Sequence, residues 1–324
     1  MVRIRERSIS MTTGRTRAVV DLGKIRKNLS VLTALAKKDY VEWKGAVPMV
    51  KANAYGHGLL PVALHLESGR DVLAVGVATL NEGIALRVGG FKKPVWVFSE
   101  TALLTEEICG LIEKFNLTPI LHRFEDVVVW TKRQKRKQRR AFHLKFNTGM
   151  NRLGIAAERA VEIAALCRRV GVTPEGLCSH FALAEEPLHE STQSQARLFS
   201  LIVNSFAGFN VSYIHCGNTA AILGEKNLGI GEFCNVVRPG IGMYGYAYTA
   251  QAAKLSPALL WQARVLSTRV LSAGDQVGYG YTFAAGKRVE QAVVGVGYGD
   301  GFFRALANQK IKVAVNGRLT SSCV

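Results

Sequence analysis

Val47-Pro-Met-Val-Lys51-Ala-Asn-Ala-Tyr55-Gly-His-Gly58 is a short apolar run that stops at a lysine and gives way to a turn rich in Asn, Gly and His. So short a run suits a strand buried on both faces, as in a parallel sheet. Lys51 then stands at the carboxyl end of that strand, the end where α/β barrels collect their catalytic groups. An amine half-buried there loses solvation of its charged form, so its pKa falls and it becomes a usable nucleophile or base. A lysine snorkelling out of a sheet edge accounts for the same residues, and is the commoner case for a lysine without context.

The chain around this stretch alternates strand and helix signals. Ala18–Leu22 reads as a first strand, and Ile25, Leu29, Leu32 and Ala36 fall on one helical face within 23–38. Beyond Lys51, strands are expected near 72–78, 94–99, 119–122, 142–147, 176–181 and 213–216, with helices at 80–88, 106–115, 159–170 and 195–206. That rhythm predicts an α/β protein built of βα units around a parallel sheet, and 324 residues are enough for a barrel plus an appendage. Near Pro257 the helical faces stop. Trp261, Ala263 and Val265, then Val293 and Val296, then Ile311, Val313 and Val315 alternate, and Asn316-Gly317 is a hairpin signal. The expected organisation is a basic leader over 1–16, a barrel over 17–250 and a mostly β domain over 251–324.

Composition narrows the class. Hydrophobic residues make up 48% of the chain, which rules out a disordered protein, and no apolar run is long enough to span a membrane. The basic start leads into Ser, Thr and Gly, unlike a secretory signal. Six cysteines (Cys109, Cys167, Cys178, Cys216, Cys234 and Cys323) lack metal-ligand spacing and read as reduced thiols of a cytoplasmic protein, with no metal expected. The net charge of +18 owes much to Lys132–Arg140. That run has no aromatic for base stacking, so it reads as a solvated connection on the barrel's outside rather than a nucleic-acid site. A basic protein also attracts phosphorylated ligands.

Lys51-Ala-Asn-Ala-Tyr55-Gly-His-Gly58 resembles the pyridoxal-phosphate lysine motif of the alanine racemases. Four further blocks are similar to that family in the expected order. His143-Leu-Lys145-Phe-Asn147-Thr-Gly-Met-Asn-Arg152-Leu-Gly154 resembles the segment in which a lysine, often carbamylated, orients an arginine toward the cofactor phenolate and the substrate carboxylate. The family more often has an acid where this chain has Asn147. Gly176-Leu-Cys-Ser-His180 resembles the strand whose histidine hydrogen-bonds the catalytic tyrosine. His215-Cys-Gly-Asn218-Thr219 and Arg238-Pro-Gly240-Ile241 look like the phosphate cradle, with Thr219 where serine is commoner. The resemblance makes Arg238 the partner of the pyridine nitrogen, where a fixed cation disfavours ring protonation. Val277-Gly-Tyr279 and Val296-Gly-Tyr298 resemble the second catalytic base, given to a neighbouring subunit, and a residue narrowing the substrate entrance.

The resemblance implies an N-terminal (β/α)8 TIM-type barrel followed by a mostly β C-terminal domain, in a pyridoxal 5'-phosphate enzyme that interconverts L- and D-alanine, supplies D-alanine for peptidoglycan and acts as a homodimer with composite sites. Lys51 and Tyr279 are its expected bases, tuned by His180 and Arg238. Lys51, Tyr55, Arg152, His215, Asn218, Thr219, Arg238, Gly240 and Ile241 are expected to hold the cofactor, and Arg152 and Tyr298 the substrate. Lys145 stands where the family's often-carbamylated lysine does. Family members continue past the position of Val324, so the resemblance also implies an incomplete C-terminal domain. A racemase of broader specificity and a cofactor-binding protein without turnover stay open beside the leading reading.

Overall fold

In the computed structural model, Gly45–Val50 is wholly buried. It is bonded on one side to the chain after Asp71 and on the other to 236–239. The structure describes residues 14–99, 104–134, 140–224, 228–306, 311–315 and 317–321. They fall into two compact units, Val20–Ala258 and a second made of Met1–Val19 with Leu259–Val324.

The barrel strands of the first unit are Gly45–Ala46, Val75–Val77, Val95–Val97, Thr118–Leu121, His143–Asn147, Gly176–Cys178, Tyr213–His215 and Val236–Val237, and the short Ile155–Ala156 pairs in parallel with the fifth. The second to the seventh pair in parallel with their sequence neighbours, and the eighth pairs in parallel with the first. Two remaining joints close the ring. Val50 N–H donates to Gly76 O at 2.8 Å, and Leu73 N–H to Ala46 O at 3.0 Å. Asn235 N–H donates to Ile214 O at 2.9 Å, and Arg238 N–H to Gly217 O at 2.8 Å. With helices such as Leu59–Glu67, Leu80–Val88, Ala160–Val170 and Glu190–Ser205 between the strands, this is the (β/α)8 barrel.

Strand periodicity sorts the side chains into two cores. Ala46, Val50, Val75, Val77, Val95, Val97, Leu144, Leu177 and Val237 pack outward against the helices. Val47, Met49, Ala74, Trp96, Ile120, Cys178 and Val236 fill the interior. His143 and His215, both fully buried, lie against the Trp96 ring with centroids 4.1 Å and 5.1 Å away. Room for His143 comes from Gly176, where any Cβ would overlap the imidazole. Gly176→Ala is therefore expected to lower stability by about 1–3 kcal/mol, the usual range for overpacking, as read by denaturant unfolding.

Ala18–Leu22, expected as a barrel strand, belongs elsewhere. The observed strand is Thr16–Val20, paired with Leu259–Ala263, and Asp21 begins the first helix by accepting the Lys24 N–H at 3.0 Å. An Asp directly before an apolar-periodic segment is an N-cap, and that preference prevails over the β-branched residues preceding it. In the second unit Val265–Leu271 pairs antiparallel with Val289–Val294, and Lys312–Val315 with Arg318–Ser321. Gly317, at φ 77°, occupies the tight connection of the latter hairpin. Of the leader and the basic run, residues 1–13 and 135–139 lie outside the described residues, as does Cys323. Among the described residues no helix is long and apolar enough to cross a membrane.

Candidate active site

Directly after Lys51 the backbone turns left-handed. Ala52, Asn53, Ala54 and Tyr55 have φ between 52° and 54°, a conformation costing an L-residue about 1–2 kcal/mol at each position. Such strain persists only where the surroundings enforce it. Asn53 Oδ1 accepts the Leu59 N–H at 2.8 Å. Glu82 Oε1 accepts the Ala52 N–H at 2.6 Å, while its Oε2 accepts the N–H groups of Ala78 at 2.7 Å and Thr79 at 3.2 Å. One carboxylate thus ties the lysine turn to the end of the next barrel strand. The Thr79-x-x-Glu82 spacing is readable as a capping box for Leu80–Val88, but the reach to Ala52 is a tertiary contact that no local pattern signals.

Lys51 opens onto a cavity of about 310 Å³ at the carboxyl ends of the strands. Lys145, Arg152, Arg238, His180, Asn218, Thr219, Tyr55, Gly240 and Ile241 line it too, so most of the residues singled out in the sequence meet there. Met49, Phe98, Ser99, Cys178, Ser179 and Ala220, which the sequence reading passed over, complete the wall. His215 stands deeper, beneath Arg238. Tyr279 and Tyr298 belong to the second unit, where they are 89% and 52% exposed.

Among the described residues no Asp or Glu lines the cavity, which holds four cationic side chains. Burial, helped by Arg152 and Arg238 and opposed by Glu82, holds the Lys51 amine below the usual lysine range. Lys145 is lowered chiefly by burial, with Arg238, Arg152 and Lys51 adding to it. Burial followed by Arg238, Lys145, Arg152 and Lys51 keeps His180 well below its ordinary value, and so neutral. Glu82→Gln is expected to move the Lys51 titration to lower pH, because it deletes a negative charge that favours the ammonium. The pH dependence of Lys51 acylation checks this, and an upward move would contradict it. The amide also faces N–H groups that need an acceptor, a loss of about 1–3 kcal/mol in unfolding experiments.

Arg238 is held by neutral acceptors alone. Its Nη1 donates to His215 Nδ1 at 2.7 Å and His215 O at 2.6 Å. Its Nη2 donates to Ser179 O at 2.8 Å, His180 Nδ1 at 3.0 Å and Cys216 O at 3.3 Å. These contacts occupy the terminal N–H groups and leave the Nε–H to serve a ligand. Because His180 Nδ1 accepts, its proton sits on Nε2. Thr219 Oγ1 accepts from Gly240 N at 3.0 Å and Gly242 N at 3.2 Å, so its own hydrogen is available to an anion. A Cβ at Gly240 would come within 2.8 Å of the Tyr55 hydroxyl, so only glycine leaves both in place.

Asn147 shapes the loop that carries Arg152. Its Oδ1 accepts from Gly149 N at 3.1 Å and Asn151 N at 3.0 Å, and its Nδ2 donates to Asn151 Oδ1 at 2.9 Å. An acid would accept the same two bonds; the third needs the amide. The departure at this position is thus compatible with the same loop.

Comparison with known proteins agrees with this geometry. The alanine racemase N-terminal domain family matches residues 20–248 and the alanine racemase C-terminal domain family residues 258–323. An alanine racemase of Carboxydothermus hydrogenoformans is 35% identical over 308 residues, covering 93% of this chain and 80% of that protein. The alanine racemase structure from Acinetobacter baumannii superposes with a TM-score of 0.81 at 29% identity, over 94% of this chain and 82% of that one. The enzyme from Bartonella henselae, described with covalently bound pyridoxal phosphate, shares the fold at a TM-score of 0.77 and 23% identity, over 94% of this chain and 82% of that one. The lysine at the barrel mouth, the cationic cavity and the appended β unit therefore have one common source: the chain belongs to the alanine racemase family.

Proposed function

We propose that Lys51 holds pyridoxal 5'-phosphate in the barrel cavity and that the enzyme interconverts L- and D-alanine with Lys51 and Tyr279 as its two bases. The observation that carries this reading is the lining of Lys51, Lys145, Arg152 and Arg238, with no carboxylate among the described residues of the wall. Lys145 and Arg238 are buried and Lys51 is half-buried, and cations desolvated side by side need anionic guests. A phosphorylated, phenolate-bearing aldehyde and an amino-acid carboxylate are such guests, so the residues present fit the group. When bound, the cofactor supplies an electron sink that makes the substrate Cα–H bond labile.

The chain's own residues do the rest. Thr219, Asn218, Tyr55 and the backbone at Gly240 and Ile241 hold the phosphate, with the small hydroxyl and glycine surfaces admitting close approach. Arg152 binds the phenolate oxygen and then the substrate carboxylate, which a planar guanidinium can grip with two N–H groups. Arg238 offers its Nε–H to the ring nitrogen and stays charged, which restrains the electron sink and suits an enzyme that moves one proton. Lys51, already biased toward its neutral amine, takes or returns the proton on one face of Cα. Lys145, likewise biased toward the neutral amine, takes up carbon dioxide with loss of a proton, adding the anion that Arg152 lacks.

Tyr279 serves the other face from a partner chain, hydrogen-bonded to the Nε2–H of His180, and Tyr298 narrows the entrance. The exposure of Tyr279 supports this division, as do the strand faces bearing Leu260, Val265, Val293 and Val313, which are open to solvent in the single chain. Apolar faces of that kind are what a second copy covers, giving a homodimer with two composite sites. The five described cysteines are unpaired, which favours a cytoplasmic location for D-alanine supply to peptidoglycan.

A racemisation assay with alanine, serine and lysine tests the proposal. Turnover is expected fastest with alanine. Comparable rates with the larger amino acids would favour a broad-specificity racemase, and cofactor binding without any turnover would reject the catalytic reading.

A further inference from the structure

A line of hydrogen bonds leaves the cavity through the middle of the barrel. Below Arg238, His215 Nε2 is 2.8 Å from His143 Nδ1, and His143 Nε2 is 3.3 Å from Glu175 Oε2. Both imidazoles are fully buried, whereas the Glu175 side chain is 33% exposed just before the strand Gly176–Cys178, at the amino-terminal mouth. Nothing in the mechanism above uses His143 or Glu175.

The chemistry of the groups fixes the direction of every bond. A carboxylate only accepts, so His143 Nε2 must carry a hydrogen. A neutral imidazole then has a bare Nδ1, which can only accept from the Nε2–H of His215. That in turn leaves His215 Nδ1 bare, the state in which it can accept from Arg238 Nη1 at 2.7 Å. The opposite tautomer of His215 would set N–H against N–H at that distance and turn the guanidinium away. Burial holds both rings below the usual histidine value, consistent with neutral imidazoles.

We infer that Glu175 is a positioning residue for Arg238, acting through His143 and His215 by dictating which ring nitrogens carry hydrogen. The inference deepens the proposed function and rests on it only for its consequence, that Arg238 presents its Nε–H to the cofactor ring. The tautomer pattern itself is a property of the protein alone. Without the carboxylate only Arg238 opposes the other tautomers, so an Nδ1–H form of both rings becomes accessible at the cost of the bond from Arg238 to His215.

The test uses the full chain labelled with 15N-histidine, with the resonances of the two buried rings identified by replacing the other histidines one at a time with glutamine. Both rings are expected to be neutral with hydrogen on Nε2. Glu175→Leu should introduce the Nδ1–H tautomer and lower kcat for alanine by roughly ten-fold while KM changes less than about two-fold. Glu175→Gln, which keeps an acceptor oxygen, should restore both. An Nδ1–H tautomer in the unmodified protein would overturn the inference. So would a Glu175→Leu protein whose tautomers or kcat are unchanged, even if it melts earlier. An unmodified protein with the expected tautomers but no racemisation would reject the racemase reading and leave the hydrogen-bond chain standing.

Discussion

Lys51→Ala is expected to lose the long-wavelength absorbance of a lysine-linked cofactor and to racemise alanine at least about 10⁴-fold more slowly than the parent. The size follows from the two duties proposed for this one side chain, covalent anchor and proton carrier on one face of Cα. The change should leave the fold intact. The left-handed turn that follows is held by backbone groups of Ala52 and by Glu82, Asn53 and Leu59, none of which needs the lysine side chain. Circular dichroism and the unfolding midpoint separate this outcome from misfolding. Full turnover in the variant would remove the basis for everything assigned to the barrel mouth.

Tyr279→Phe is expected to keep that absorbance and lose about 10²–10⁴-fold in racemisation, the range for deleting one general acid–base group. Tyr279 is 89% exposed, between Gly278 at φ 78° and Gly280 at φ 71°, so removing its hydroxyl disturbs no packing in its own chain. Mixing Tyr279→Phe chains with Lys51→Ala chains should regain activity, because half of the mixed dimers' sites then combine an intact Lys51 with an intact Tyr279. Recovery on mixing supports a shared site. A fully active Tyr279→Phe protein would refute the two-base assignment.

Much of this was legible because a barrel strand has a period of two. Lys51 lies two residues beyond Met49, Lys145 beyond His143, His180 beyond Cys178 and Arg238 beyond Val236. Met49, Cys178 and Val236 belong to the interior core, and His143 packs there against Trp96. A polar residue continuing an inward parity past the last apolar layer must arrive at the mouth, which is why residues distant in sequence converge there. The first strand was misread for a physical reason: Thr16–Val20 carries the β-branched pattern, but its hydrogen-bond partner is Leu259–Ala263, over 200 residues later. Propensity names a strand and not its neighbour.

Three features were hidden from sequence reading. The left-handed run Ala52–Tyr55 contains no glycine, so no residue type announced it. The second duty of Glu82 is a contact 30 residues away in the chain. The link from Arg238 to Glu175 joins side chains in or next to four separate strands, visible only once the barrel has closed.

The account depends most on the amine at position 51, and borohydride reduction of the cofactor-loaded protein addresses it directly. Digestion and peptide mass mapping are predicted to find one reduced-cofactor adduct per chain, on the peptide containing Lys51. An adduct on any other lysine, or none, would contradict the account.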